Sequence, residues 1–411
     1  MNIAWVSSSL PYLPARGGFK LYGANLISIL SRRHRVDLIS LIHKQDEQYV
    51  GWAHQYCDLV KLVPRHNLGV ARRVANCASG YFWGKYLNYR RPLQDILNDG
   101  YRSKRWDIVH VEGGFTGGLM PVNSPIPMVL SLHDAESLRA QEMLRCTLDV
   151  GQTLTYTVRK YYEPRYGRLV YPRFERCTVV ADRDATFNRA LVPTAKFMVV
   201  PYGTDTAYFR PIPAAKEKFA LVFHGHLGYA PNCQAAMEFA LQVFPLVRRQ
   251  VPDAVFHLIG ADPAEAIRAL GASPGFRLSP DLDDLRSALG SGQVYVCAIR
   301  YGTGMKNKIL EAMAMQLPIV CYPAAIVGID CVPGKHLLVA QSPQQFAEHV
   351  LELLRRPELA ADIAHAGRRL VEERYSWESR ARAYEEIYET VIDERRVHTS
   401  EHDPSVVLER A

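Results

Sequence analysis

Arg300-Tyr-Gly-Thr-Gly-Met-Lys-Asn-Lys-Ile-Leu-Glu-Ala-Met-Ala-Met315 is the segment with the most chemical content. Gly302 and Gly304 allow a tight backbone approach to a ligand. The spacing predicts a helix beginning near Lys306, whose free N–H groups and positive dipole end would attract an anion. Arg300, Lys306 and Lys308 add cationic charge at the same place, which makes a good cradle for a diphosphate. Glu311 lies about one helical turn beyond Lys308 and so on nearly the same face. A carboxylate there can accept hydrogen bonds from both hydroxyls of a vicinal diol such as a ribose. The same pattern also fits a structural glycine turn and a solvated basic helix start, with Glu311 only a partner of the helix dipole.

These residues need elements to position them. Asn2–Ser7 is an apolar run followed by the Gly17-Gly18 turn, a helical pattern over Leu21–Leu30 and a second apolar run over Val36–Ile42. That is the strand-turn-helix-strand unit of a doubly wound parallel sheet. Further strands are expected at Leu59–Val63, Ile108–Val111, Pro127–Leu132, Cys177–Ala181 and Lys196–Val200. A second series follows the turn-rich stretch 201–215, with strands at Ala220–His224, Ala254–Ile259, Phe276–Leu278, Val294–Cys297 and Pro318–Cys321. Helices are expected over Ala235–Gln250 and Lys308–Met315. The fold class is therefore α/β, with two doubly wound Rossmann-like domains facing a central cleft, where such sheets bind ligands. The expected bounds are 1–203 for the first domain, 204–375 for the second, 376–394 for a C-terminal helix, and 395–411 for a tail.

The totals agree with an ordinary globular protein. The 411 residues are 48% hydrophobic and 22% charged. A net charge of +7 suits a protein handling phosphates, but falls short of the clustered basic footprint of a nucleic-acid binder. None of the eight cysteines forms a C-x-x-C pair, which argues against zinc or thioredoxin-like chemistry and for a reducing compartment. The sequence shows neither a signal peptide nor an apolar run of membrane-spanning length, so the expected location is cytoplasmic or peripheral on the inner face of the membrane. Asp281-Leu-Asp-Asp284 has D-x-D spacing, but it precedes a helical run over Leu285–Leu289 and reads as a cap with first-turn acids. No metal ligand set and no required cofactor are expected.

The segment Arg300 to Val320 resembles the donor motif of the retaining GT-B glycosyltransferases of glycosyltransferase family 4, in the branch with an R-x-G-x-G-x-x-x-K-x-L-E-A-M-A pattern. Other segments resemble that family in the right order: Gly17-Gly18, Arg33-His-Arg-Val36, Asp107-Ile-Val-His110, Leu132-His-Asp134, Val200-Pro-Tyr-Gly-Thr-Asp205, Pro333 to Val339 and Tyr375-Ser-Trp377. The matches cover nearly the whole chain. Most are weak singly, and the ordered set is specific.

The resemblance implies transfer of a sugar from a nucleoside-diphosphate-sugar donor with retention at the anomeric carbon. It implies Glu311 on the donor ribose, Arg300 and Lys308 on the leaving diphosphate, and the amides of Gly304 and Met305 assisting, with Lys306 contributing charge. His133 would contact the sugar near the reacting carbon. Gly17 and Gly18 would let acceptor and phosphate approach the backbone, and His110 and Glu112 are expected on the acceptor side. Two features depart from the family pattern. Thr303 stands where many members carry a glutamate that contacts the donor sugar, and the loop His224–Asn232 has neither the usual Arg nor the Lys, leaving His226 as its cationic candidate.

Acceptor glycan, lipid carrier and small metabolite all fit. Two basic-aromatic stretches, Arg65–Trp106 and Arg159–Arg168, would suit an anionic membrane surface or a bulky anionic acceptor. The competing functions are a non-catalytic nucleotide-sugar-binding protein, a nucleotide-sugar epimerase and an NAD-dependent dehydrogenase. The last lacks the G-x-G-x-x-G it would need after Val6 or Phe223.

Overall fold

A computed structural model describes residues 1–14, 18–65, 89–146, 149–212 and 216–401, with the backbone alone at 398–401. The predicted site residue Gly17, most of the first basic-aromatic stretch (66–88) and the end of the tail (402–411) lie outside the described residues. The chain separates into two compact units. The first contains 1–136, 161–200 and the chain from Arg380 onward, and the second contains 137–160 and 201–379.

The first unit is built on a seven-stranded parallel sheet: β1 Asn2–Ser7, β2 Arg35–Ile42, β3 Leu59–Pro64, β4 Ile108–Glu112, β5 Met128–His133, β6 Arg176–Val179 and β7 Phe197–Val199. Their order is β3-β2-β1-β4-β5-β6-β7. β1, β4 and β5 are almost wholly buried, as near-continuous apolar runs must be when helices cover both faces of a parallel sheet. The helix Trp377–Glu401 is fixed to this unit from Arg380 onward. Its Tyr384 hydroxyl lies 2.7 Å from those of Tyr22 and Thr178 and 3.1 Å from that of Ser131. Its Tyr388 hydroxyl lies 2.6 Å from His110 Nδ1.

The second unit repeats the scheme with six parallel strands: β8 Ala220–His224, β9 Val255–Gly260, β10 Phe276–Pro280, β11 Val294–Cys297, β12 Ile319–Cys321 and β13 Leu338–Val339. Their order is β10-β9-β8-β11-β12-β13. The direction of winding reverses between β8 and β11, so the loops after these two strands diverge and open a crevice at their carboxyl ends. Pro201–Asp205 and Tyr375-Ser-Trp377 meet in this unit. Thr204 N donates to Tyr375 O at 2.7 Å, and Gly203 leaves room for Trp377, whose ring would lie 2.7 Å from an added Cβ.

Two local expectations change. The helix expected over Ala235–Gln250 starts earlier, at Ala230, and is broken by a π turn at Phe239–Val243. Pro245, which has no N–H, follows just inside the next segment and cannot continue the ladder. The acids of Asp281–Asp284 precede a helix shifted by one residue, Arg286–Gly290, whose first N–H, that of Arg286, donates to Asp284 Oδ1 at 2.9 Å. Leu285 is at the cap position, and Asp284 pairs with Arg286 at 2.6 Å. Among the described residues no helix is long and apolar enough to cross a membrane.

Candidate functional site

The carboxyl ends of β8 and β11 gather most of the predicted donor residues. β8 ends at His224, and the chain turns through Gly225, at φ +150°, into the loop leading to the helix Ala230–Glu238. β11 leads through Arg300 and the Gly302–Gly304 loop into the helix Asn307–Ala314. Gly302 and Gly304 adopt φ of +117° and +65°, the left-handed region that favours glycine.

The second loop is held from inside. Lys306 Nζ donates to the carbonyls of Thr303 (2.7 Å) and Gly304 (3.1 Å), so this ammonium braces the glycine loop. Thr303 is buried. Met305 Sδ accepts from Tyr202 N at 3.3 Å, which ties the loop to the Pro201–Asp205 motif. Arg300 pairs with Glu238, and its guanidinium lies 3.7 Å over the ring of Tyr322. Part of its charge is therefore already balanced.

Lys308 differs from these two cations. Its Nζ contacts the neutral amide oxygen of Asn232 and sits 4.8 Å from the centroid of the Phe223 ring. Burial pushes its ammonium down to about 8. Glu311, on the same helix, accepts from His224 Nε2 at 2.7 Å. Its side chain keeps 22% exposure while that of His224 keeps 4%, so the carboxylate is reachable and its partner is not. His226 lies outside this cluster, 3.2 Å from Asp262 with both side chains exposed.

Glycines let the first loop come this close. A Cβ on Gly225 would lie 2.9 Å from Lys308 Nζ and 3.1 Å from Asn232 Nδ2. Gly260, at the end of β9 with φ +146°, is pressed against the Gly225 peptide, and a Cβ there would overlap the Gly225 carbonyl oxygen.

Residues 218–356 match the family model described as glycosyl transferases group 1. They form a group 1 glycosyltransferase domain. Over 396 residues the chain is 21% identical to an uncharacterized 44.6 kDa protein in the cps region of Klebsiella pneumoniae, covering 91% of this chain and 96% of that protein. It is 26% identical over 218 residues to a GDP-mannose-dependent alpha-(1-6)-phosphatidylinositol monomannoside mannosyltransferase of Mycobacterium tuberculosis, covering 47% of this chain and 56% of that protein. The fold is similar to that of sucrose-phosphate synthase from Thermosynechococcus elongatus, with a TM-score of 0.71 and 13% identity over 96% of this chain and all of that one. The two Rossmann-like units are those of a GT-B fold.

In the glycosyltransferase's first unit the predicted residues are arranged differently. Gly18 opens the helix Gly18–Leu30. His133 ends β5 where the register with β6 slips, and it adopts a φ of +67°. Its ring lies between Phe19 and Tyr22, with centroids 5.0 and 4.5 Å away, and its Nε2 is 3.6 Å from Glu112 Oε1. His110 and Glu112, expected on the acceptor side, have no exposed surface. His110 stacks on Trp5 at 3.8 Å, and burial holds its imidazole well below its usual range, hence neutral. Glu112 accepts from Trp5 Nε1 at 3.1 Å in space left by Gly23, whose added Cβ would lie 2.6 Å from the carboxylate. β4 puts both side chains inside the sheet's cover, where they support the strand ends and reach no solvent.

His224 and Asn232 escaped the sequence reading. In the loop His224–Asn232 a neutral donor or acceptor leaves no charge pattern to mark it. The available signal was positional: His224, like His133, is a histidine at the carboxyl end of a buried strand.

Proposed function

We propose that this glycosyltransferase moves a sugar from a nucleoside-diphosphate-sugar to an acceptor hydroxyl with retention of configuration. The observation that carries this reading is the pairing of Lys308 and Glu311 at the β8/β11 crevice of the group 1 domain. One is a cation whose bonded partner is neutral, and the other is a reachable carboxylate on the same helix. Lys308 is assigned to the diphosphate and Glu311 to the ribose, with Arg300 and the helix start at Asn307 adding positive potential. The mycobacterial relative, whose name specifies a GDP-sugar donor, supports this class of donor.

In the proposed step the bond between the anomeric carbon and the diphosphate oxygen breaks. The acceptor oxygen bonds to that carbon on the same face, and the acceptor's proton passes to the departing diphosphate. The protein contributes positioning and electrostatic stabilisation of the leaving charge. Calorimetry against UDP, GDP, ADP, dTDP and NAD should show binding of a nucleoside diphosphate. Transfer from the matching sugar donor should give a product of unchanged anomeric configuration by NMR and should persist in EDTA. Binding of NAD alone, or an inverted product, would overturn the reading.

A contact with an anionic membrane surface is the second part of the proposal. The helix Val150–Val170 exposes Val150 (87%), Leu154 (65%), Tyr161 (67%) and Leu169 (68%) and carries Arg159, Lys160, Arg165 and Arg168. An apolar and basic surface of this kind suits a headgroup boundary. The protein should sediment with phosphatidylglycerol vesicles and not with phosphatidylcholine vesicles, and Leu154→Glu should weaken that association. Equal sedimentation of the variant would remove this helix from the contact.

A further inference from the structure

The His224–Glu311 pair has a consequence for which donors the site accepts. A glutamate on a helix surface samples several rotamers, and a vicinal diol binds well only to a carboxylate held in one plane. His224 supplies that restraint. Its ring is packed at the end of β8 with Tyr295 edge-on at 5.5 Å. Its Nδ1 is buried and has no hydrogen-bond partner among the described residues, so the 2.7 Å contact from Nε2 to Glu311 Oε2 is the polar bond that fixes both groups. A carboxylate only accepts, which places the ring proton on Nε2.

We propose that His224 is a positioning residue that holds Glu311 for a ribose 2′,3′-diol, and that the site therefore selects ribonucleoside diphosphates over their deoxy counterparts. This rests on the assignment of Glu311 to the donor ribose. A site built to bond a hydroxyl rejects an analogue lacking it, because the buried group is left without a partner.

The test measures affinities of UDP, GDP and ADP and of their 2′,3′-dideoxy forms by calorimetry, for the wild type and for His224→Leu, His224→Gln and Glu311→Ala. The ribonucleotide that binds the wild type should bind His224→Leu about tenfold more weakly, with its dideoxy form changed less than about twofold. His224→Gln, which keeps an N–H donor, should recover most of the loss. Adding His224→Leu to Glu311→Ala should cost nothing more, because His224 acts through Glu311. Parallel loss of both ligand forms, or no loss of either, overturns the role of His224 while leaving the nucleotide reading standing. If the folded wild type binds none of the three ribonucleotides, the ribose assignment falls, and this inference with it. Should His224→Leu fail to fold, His224→Gln against Glu311→Ala still decides: a Gln variant that loses ribose discrimination as Ala does excludes a role based on the N–H donor.

Discussion

Replacing Lys308 with alanine should lower turnover by about 10²–10³-fold, the scale set by removing one preorganised group that meets charge developing in the transition state. Affinity for the nucleoside diphosphate should fall much less, because the charge matters most as the diphosphate leaves. Pre-steady-state and equilibrium measurements on the same variant separate the two effects, and unchanged turnover with lost affinity would contradict the assignment. The pH profile gives an independent check. Burial pushes the Lys308 ammonium down to about 8 from its ordinary value near 10.5. In the free enzyme the cation is lost as pH rises through about 8, so kcat/KM should fall on the alkaline side with an apparent midpoint there. Stability moves the other way. Between about pH 8 and 10.5 the unfolded chain binds this proton and the folded chain does not, so this group's contribution to stability rises with pH across that window. Below pH 8 both states bind the proton and the contribution is flat. Lys308→Arg should keep its charge through this range and flatten the alkaline limb.

The second large effect is expected at Gly260. A side chain there meets two penalties: a φ of +146° and overlap with the carbonyl of Gly225. The Gly225 peptide is not free to retreat. Its N–H donates to Ile259 O at 3.0 Å, and Leu227 N donates to Ala261 O at 2.8 Å. Gly260→Ala should therefore cost about 3 kcal/mol, lowering the melting temperature by about 6–12 °C for a unit of this size. It should also displace the Gly225 loop from Lys308 and Asn232 and so weaken nucleotide binding. A variant that melts with the wild type and binds nucleotide equally would show that the loop yields without cost.

Both effects depend on contacts between segments far apart in the chain. Gly260 lies 35 residues from Gly225, and Asn232 lies 76 from Lys308. The sequence shows glycines and an asparagine at these places and nothing about their pairing. By contrast, the strands around them were readable. Buried parallel strands must be continuous apolar runs, and β8, β9, β11 and β12 appear as such in Ala220–His224, Ala254–Ile259, Val294–Cys297 and Pro318–Cys321. The helix after the glycine loop was readable too, because its start needs special backbone angles and its buried face repeats with the helical period.

The sequence by itself determined two doubly wound units, the Gly302–Gly304 turn and the shared helix face of Lys308 and Glu311. These follow from local periodicity and backbone sterics. Only the tertiary structure decided the standing of each charge. It turned Lys306 onto the carbonyls of its own loop, paired Arg300 with Glu238, and left Lys308 against a neutral amide. It also enclosed His110 and Glu112, and set His224 behind Glu311. Charge balance and burial are properties of neighbours brought together by folding: Arg300, Lys308 and Glu311 meet theirs 62 to 87 residues away, and His110 meets Tyr388 across 278.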